Sequence, residues 1–292
     1  MILEDIFNMK HVKKVWIIGG TGRVGKALRA VIDCREVEIL STDEEDVDIT
    51  NGDNVISYGE RNRPDIIINC AGITDLEECE NNINKAYKVN AIGARNVALL
   101  SERIGAKLIH LSTDDVFSGT SNTPYSEFDI PRPSTVYGKS KFAGEQFVRD
   151  FAQHFFIIRS NWVYGAGKSY ITQVVNIAKD HDKIKVSNET FGSPTSAVDL
   201  AKFIVELMQT SEFGIYHVTS QGTCSRYEYA CEIVKLLGLN VEVVPVKNEE
   251  DEISVQRPAY AILDNVMLSI LDNYQMPEWK DALKTYIDKY KK

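Results

Sequence analysis

The chain has 292 residues, 43% of them hydrophobic and 26% charged, with 18 Gly and 8 Pro. That size and mix suit one large domain or two small ones around a sizeable core, without internal repeats or low-complexity tracts. A net charge of −9 argues against bulk attraction to nucleic acid or an anionic membrane, so an anionic ligand needs a local basic pocket.

No apolar run approaches the ~20 residues of a membrane span. Residues 1–12 read as a leader: the stretch MILEDIFNMKHVKK mixes its charges and is too briefly apolar for a signal peptide. Five cysteines (Cys34, Cys70, Cys79, Cys224 and Cys231) are odd in number and lack CxxC spacing. They predict reduced thiols in a cytoplasmic protein and no metal centre.

Lys14–Ile18 (KVWII) predicts a buried strand running into Gly19–Gly20. Arg23–Ile32 has helical spacing, Val37–Leu40 is a second strand, and Asp65–Cys70 (DIIINC) a third. The third is apolar on both faces, as in a parallel sheet covered by helices. Ala86–Ile104 predicts one long helix, Lys107–Ser112 the next strand, Ser134–Ala152 a long amphipathic helix, and Phe155–Arg159 (FFIIR) another strand. Strands alternating with helices predict an α/β fold, a doubly wound, Rossmann-like parallel sheet. The pattern changes after about Tyr164. Gly165–Gly167 is a loop, Ile171–Lys179 helical, Lys183–Val186 strand-like, Val198–Met208 helical and Gly214–Val218 a strand. The expected division is a nucleotide-binding domain over 13–165, to which 195–222 return, and a smaller C-terminal substrate-binding lobe of 166–194 and 223–292.

Gly19-Gly20-Thr21-Gly22-Arg23-Val24-Gly25 joins the first strand to the first helix. Glycines there admit positive φ and let backbone approach a pyrophosphate, and the helix N-terminus offers free N–H groups and partial positive charge. Gly19, Gly22 and Gly25 are therefore candidate cofactor contacts. Asp43 follows the second strand, where a carboxylate can accept both ribose hydroxyls of an adenosine. Its neighbours Glu44 and Glu45 would repel the extra phosphate of NADPH, so NADH is expected to be preferred over NADPH.

Tyr137-Gly-Lys-Ser-Lys141 places a tyrosine and a lysine at i and i+4, on one helix face. Reducing a ketone needs a proton on oxygen, and a nearby ammonium lowers the tyrosine pKa from its ordinary value of about 10 toward the operating pH. A second YxxxK, Tyr164–Lys168, spans Gly-Ala-Gly and does not read as helix. The strand ending Leu111-Ser112-Thr113-Asp114 offers a hydroxyl for the substrate carbonyl, Thr113 or alternatively Ser112, since neighbouring strand residues point to opposite faces. Small residues after Asn69 let a cofactor pass close to the backbone. Asn90, in a helical stretch, either relays a proton through water to Lys141 or is solvated.

The segments GGTGRVG, DIIINCAGIT, LSTDDVF, VYGKSKFAGEQFV, RSNWVYG and FGSPTSAVDLA resemble the extended short-chain dehydrogenases and, within them, the dTDP-4-dehydrorhamnose reductase family. The resemblance runs from about Val15 to the C-terminus. It implies reduction of the C4 ketone of a dTDP-4-dehydro-6-deoxy sugar to give dTDP-L-rhamnose. It also implies roles: Thr113 a substrate hydroxyl, Tyr137 the acid, Lys141 its helper, and Asp114 and Trp162 sugar contacts. Gly22, Arg23 and Val24 would touch the pyrophosphate, Asp48 and Ile49 flank adenine, and Ala71, Gly72 and Thr74 lie along the cofactor. Arg257 would sit near the nucleotide phosphates, which one guanidinium can bind bidentately.

Asp115 departs from the family, which usually has an aromatic there. Asp114–Asp115 could imitate the Asp-Glu pair of nucleotide-sugar 4,6-dehydratases. A dehydratase or epimerase with tightly bound NAD, and a non-catalytic regulatory subunit, are the alternatives. The sequence expects no nucleic-acid or membrane partner and leaves a structural Mg2+ and a homodimer open.

Overall fold

The structure is a computed structural model and describes residues 13–35, 37–250, 258–270 and 274–290. Along β1 (Lys13–Ile18), Val15 and Ile17 face one way and Trp16 and Ile18 the other, and all four are buried. In β3 (Ile66–Asn69), Ile66 and Ile68 oppose Ile67 in the same manner. Strands apolar on both faces must be covered on both sides. With β2 (Val37–Thr42), β4 (Lys107–Thr113), β5 (Phe155–Ser160) and β6 (Gly214–His217) they form one sheet in the order β6-β5-β4-β3-β1-β2. Every pairing in it is parallel.

The longer helices, in chain order, are α1 (Arg23–Val31), α2 (Gly52–Asn62), α3 (Ala94–Ile104), α4 (Val136–Phe151), α5 (Tyr170–Asp180), α6 (Ala197–Leu207), α7 (Arg226–Leu237) and α8 (Trp279–Tyr290). Leu28 of α1 and Leu200 and Ile204 of α6 cover one face of the sheet; Val55 of α2, Val97 and Leu100 of α3 and Val148 of α4 cover the other. This is the doubly wound fold. The strand order reverses between β1 and β3, and the carboxyl ends of these strands form the crevice where such sheets bind ligands.

A separate core joins α5, α7 and α8 through Ile171, Val174, Tyr229, Ile233, Leu283 and Ile287. It also takes Ile184 and Val186 from a strand, Lys183–Ser187, that pairs in parallel with Glu242–Val246. No helix among the described residues is long and apolar enough to cross a membrane.

The expected helix Ala86–Ile104 is three pieces: Ile83–Tyr87, a π-helical turn Lys88–Gly93, and α3. The wider turn is a site-associated feature, and here it carries Asn90. Asn90 is buried rather than solvated. Its amide accepts from Ile73 N and donates to Ile73 O and Ser140 Oγ, at 2.9, 3.0 and 3.0 Å.

Candidate active site

Gly19 and Gly20 donate their N–H groups to Thr42 O at 2.8 and 3.1 Å, folding the loop over the end of β2. Gly19 has φ +80, and a methyl group there would stand 2.9 Å from Ala71 N. A methyl at Gly25 would meet Gly19 O at 2.3 Å and Gly20 Cα at 2.7 Å, so α1 can start this close to the loop only with glycine. Gly22 caps α1 without a side-chain hydrogen bond, and no acidic residue occupies the first turn. The helix end therefore keeps its affinity for an anion. Arg23 ties the loop to the short strand after β5 by donating to Val163 O at 2.7 Å, and Val24 packs against the core.

Asp43 accepts from Thr21, at 3.2 Å from N and 2.9 Å from Oγ1. The acidic residue after β2 is thereby fastened to the glycine loop, and a carboxylate has acceptor sites to spare for a ribose. Asp48 accepts from Thr50 N and Oγ1 at 2.8 and 2.9 Å, and Ile49 is buried. Ala71 N donates to Asn69 Oδ1 at 3.2 Å, and Thr74 is exposed just beyond.

Thr135 caps α4 by accepting from Gly138 N at 2.9 Å. Tyr137 and Lys141, one turn apart, are 7% and 5% exposed. The Tyr137 ring packs with Leu76, Cys79 and Ala86. Lys141 Nζ donates to Leu111 O at 2.6 Å. A methyl at Gly72 would lie 3.8 Å from that Nζ and 2.9 Å from Asn90 Oδ1, so β3, β4, the π-turn and α4 converge at one point. Burial pulls the Lys141 ammonium down to about 8, opposed by Glu145. Burial also holds His110 well below the usual histidine range and pushes the Cys70 thiol up to about 12, so neither carries charge near neutrality.

The two candidate hydroxyls separate. Ser112 Oγ donates to Glu145 Oε1 at 2.5 Å, under the site. Thr113 Oγ1 donates to Asp114 Oδ1 at 3.0 Å and accepts from Asp115 N at 3.2 Å. Asp114 also accepts from Asn161 Nδ2 at 2.7 Å. Asp115 is 0% exposed, and a methyl at Gly138 would meet its carbonyl at 2.0 Å. A carboxylate sealed beneath α4 is poorly placed for a dehydratase's acid/base work on substrate.

Trp162 has φ +43, and the Arg226 guanidinium lies 3.6 Å from its ring centre. The second YxxxK does not form a pair of this kind: Tyr164 ends a short strand and is buried in the second core. Arg257 lies outside the described residues, as do residues 1–12. Among the described residues no cluster of three His, Cys, Asp or Glu side chains could hold a metal ion.

Sequence reasoning missed Glu145, Arg159, Asn161 and Arg226. The signal for one pair was an arginine in FFIIRS, a strand otherwise fit for burial, because a buried guanidinium demands a partner. That partner is Glu145, four residues after Lys141 on the same helix. Arg159 bonds it bidentately at 2.9 and 2.7 Å.

A family model described as RmlD substrate binding domain matches residues 13–292. The spore coat polysaccharide biosynthesis protein SpsK of Bacillus subtilis is 35% identical, over 94% of this chain and 96% of its own. A dTDP-4-dehydrorhamnose reductase of Aggregatibacter actinomycetemcomitans is 32% identical over 93% and 97%. Two solved dTDP-4-dehydrorhamnose reductases superpose closely, each 38% identical. That of Clostridium acetobutylicum has a TM-score of 0.93 over 96% of this chain and 100% of its own. That of Bacillus anthracis, in complex with NADP, has 0.92 over 95% and 99%.

Proposed function

The chain belongs to the RmlD substrate binding domain family, and from that premise we propose that it reduces the C4 ketone of a dTDP-4-dehydro-6-deoxy sugar, converting dTDP-4-dehydrorhamnose to dTDP-L-rhamnose. The observation that carries this reading is the Lys141 ammonium, held on Leu111 O one helical turn from Tyr137 and two residues before Thr113 along β4. Bound NADH, or less effectively NADPH, supplies the hydride. Thr113 and Tyr137 hold the ketone oxygen between two hydroxyls. Tyr137 delivers the proton, and the adjacent ammonium stabilises the phenolate that this leaves.

The glycine loop and the open end of α1 suit a dinucleotide pyrophosphate. Gly19, Gly22, Arg23, Val24 and Gly25 line it in this reading, with Asp43, Asp48 and Ile49 on the adenosine side and Ala71, Gly72 and Thr74 along the rest. Asp114 and Trp162 hold the sugar, and Arg257 the nucleotide phosphates. We assign the nucleotide sugar to the lobe of residues 166–194 and 223–292, and the enzyme to the cytoplasm. The activity for which the Aggregatibacter and Clostridium relatives are named supports the choice of sugar.

The Bacillus anthracis relative was captured with NADP. The preference for NADH assigned to this chain rests on its own acidic run Asp43–Glu45. A kcat/KM ratio favouring NADPH tenfold would remove it. The reading as a whole is tested by incubating the protein and NADH with several nucleotide-linked 4-keto sugars while following NADH absorbance. Consumption dependent on the dTDP-linked 4-keto sugar is expected. Turnover of a dTDP-hexose with no added cofactor would instead point to a dehydratase or epimerase.

A further inference from the structure

Beneath the site lies a charged pair, Glu145 and Arg159, 1% and 2% exposed. Burying two charges is rarely the most stable choice, since a well-packed apolar pair often does as well or better. Stability alone therefore gives no reason for this pair, whereas its contacts do. Three consecutive residues at the end of β4 are used in turn. Leu111 O takes the Lys141 ammonium, Ser112 Oγ donates to Glu145, and Thr113 Oγ1 stands beside Asp114. Lys141 and Glu145 are i and i+4 on α4, so Glu145 ties the turn that carries the lysine to the strand end that carries the threonine.

The far side of the pair is fixed as well. Arg159 Nη1 lies 3.4 Å from His217 Nε2, and His217 Nδ1 lies 3.0 and 3.1 Å from Tyr125 O and Asp264 O. A ring nitrogen between two carbonyls carries the proton, which leaves Nε2 to accept from arginine. Burial, with Arg159 adding to it, pulls His217 down to about 3, so the ring is neutral and does not repel the guanidinium. The Phe117 ring lies 5.2 Å from that guanidinium.

We propose that Glu145 is a positioning residue for catalysis: anchored by Arg159, it holds the Lys141 turn and the Ser112–Thr113 strand end in register, so that the ammonium stands beside Tyr137 while the Thr113 hydroxyl meets the substrate. The proposal rests on the ketoreductase reading. The other titratable groups that act on Lys141 are His110 and Cys70, both uncharged near neutrality, and on the far side of the pair His217 N donates to the buried Glu127 at 2.9 Å.

The test compares Glu145→Gln and the double variant Glu145→Met/Arg159→Met with the unaltered protein. The pH dependence of kcat, the KM for keto sugar, the NADH Kd and the melting temperature are measured for each. Glu145→Gln should lower kcat about tenfold, with NADH Kd little changed, and move the alkaline limb down by about one pH unit, because a carboxylate beside the ammonium is gone. The double variant replaces the pair with apolar volume and should fold; its limb should move the same way, but less. Folded variants with the kcat and limb of the unaltered protein, differing only in melting temperature, would reduce Glu145 to a structural role and overturn the proposal. NMR titration of the Lys141 side chain without substrate separates the two claims. If no keto sugar is reduced, the ketoreductase reading fails, yet a lysine titration that ignores Glu145→Gln still counts against the positioning role, and one that follows it supports it.

Discussion

In the reading proposed above, the glycine-loop wall offers a ligand the backbone at the start of α1, which lies this close to the loop because Gly25 lacks a side chain. Beneath Tyr137 and Lys141 the work falls instead to buried side chains, several of them charged. The first wall depends on atoms being absent and carries little that titrates. The second depends on charges that water does not screen. A methyl group should therefore damage one wall, and a lost proton or a lost hydroxyl the other.

The largest effect expected on the charged wall is that of Tyr137→Phe. Kinetics should show kcat falling by roughly 10²–10⁴, with NADH binding by fluorescence titration within a few-fold of normal. Undiminished turnover would refute the tyrosine's role and erase the contrast. On the other wall, Gly25→Val adds bulk where a methyl already stands 2.3 Å from Gly19 O. NADH Kd should rise more than tenfold, or the fold lose ~1–3 kcal/mol, while kcat at saturating NADH moves less. A Gly25→Val protein with ordinary NADH affinity and melting would mean the loop has slack that these distances deny.

The walls should also part with pH. Lys141 sits at about 8, against an ordinary 10.5. Turnover should decline as pH rises through about 8 and the ammonium is lost. Between about 8 and 10.5 the unfolded chain holds the proton more tightly than the native one, so this lysine's contribution to stability grows while activity fades. Denaturant unfolding of the unaltered protein and of Lys141→Met across that window should show the difference, and parallel curves would contradict the burial argument. The smallest effect is expected far from both walls. Asn51 caps α2 by accepting from Asp53 N and Asn54 N at 3.0 and 3.3 Å. Asn51→Ala should cost ~1 kcal/mol, read as a modest fall in melting temperature with kinetics unchanged.

The same contrast explains what the sequence made legible. β1, the glycine loop and the i, i+4 spacing of Tyr137 and Lys141 are local patterns, and each reads directly from neighbouring residues. Helix α2 is not, because Gly52, Gly59 and two β-branched residues dilute its helical signal, and packing of Val55 in the core holds it. Helix α7 did leave a signal that went unread: Ser225 and Glu228 form a capping box, and Gly238 closes the helix in the left-handed region. The π-turn at Asn90 and the tie from Ser112 to Glu145 leave no periodic trace, since each exists only after α4 has docked on the sheet.

The position of β6 has a consequence for how the molecule is made. Residues 214–217 pair with β5, and Val218 N donates to Arg159 O at 2.9 Å, although the two segments lie far apart in the chain. A nascent chain that has emerged only as far as β5 presents an open sheet edge, with Phe156 and Ile158 beside it and Arg159 not yet met by His217. Such an edge invites pairing with another chain until the missing strand arrives. The order of synthesis thus leaves α4 among the early parts to emerge and the cap on its buried charge among the late ones, and premature release from the ribosome would yield a protein prone to self-association.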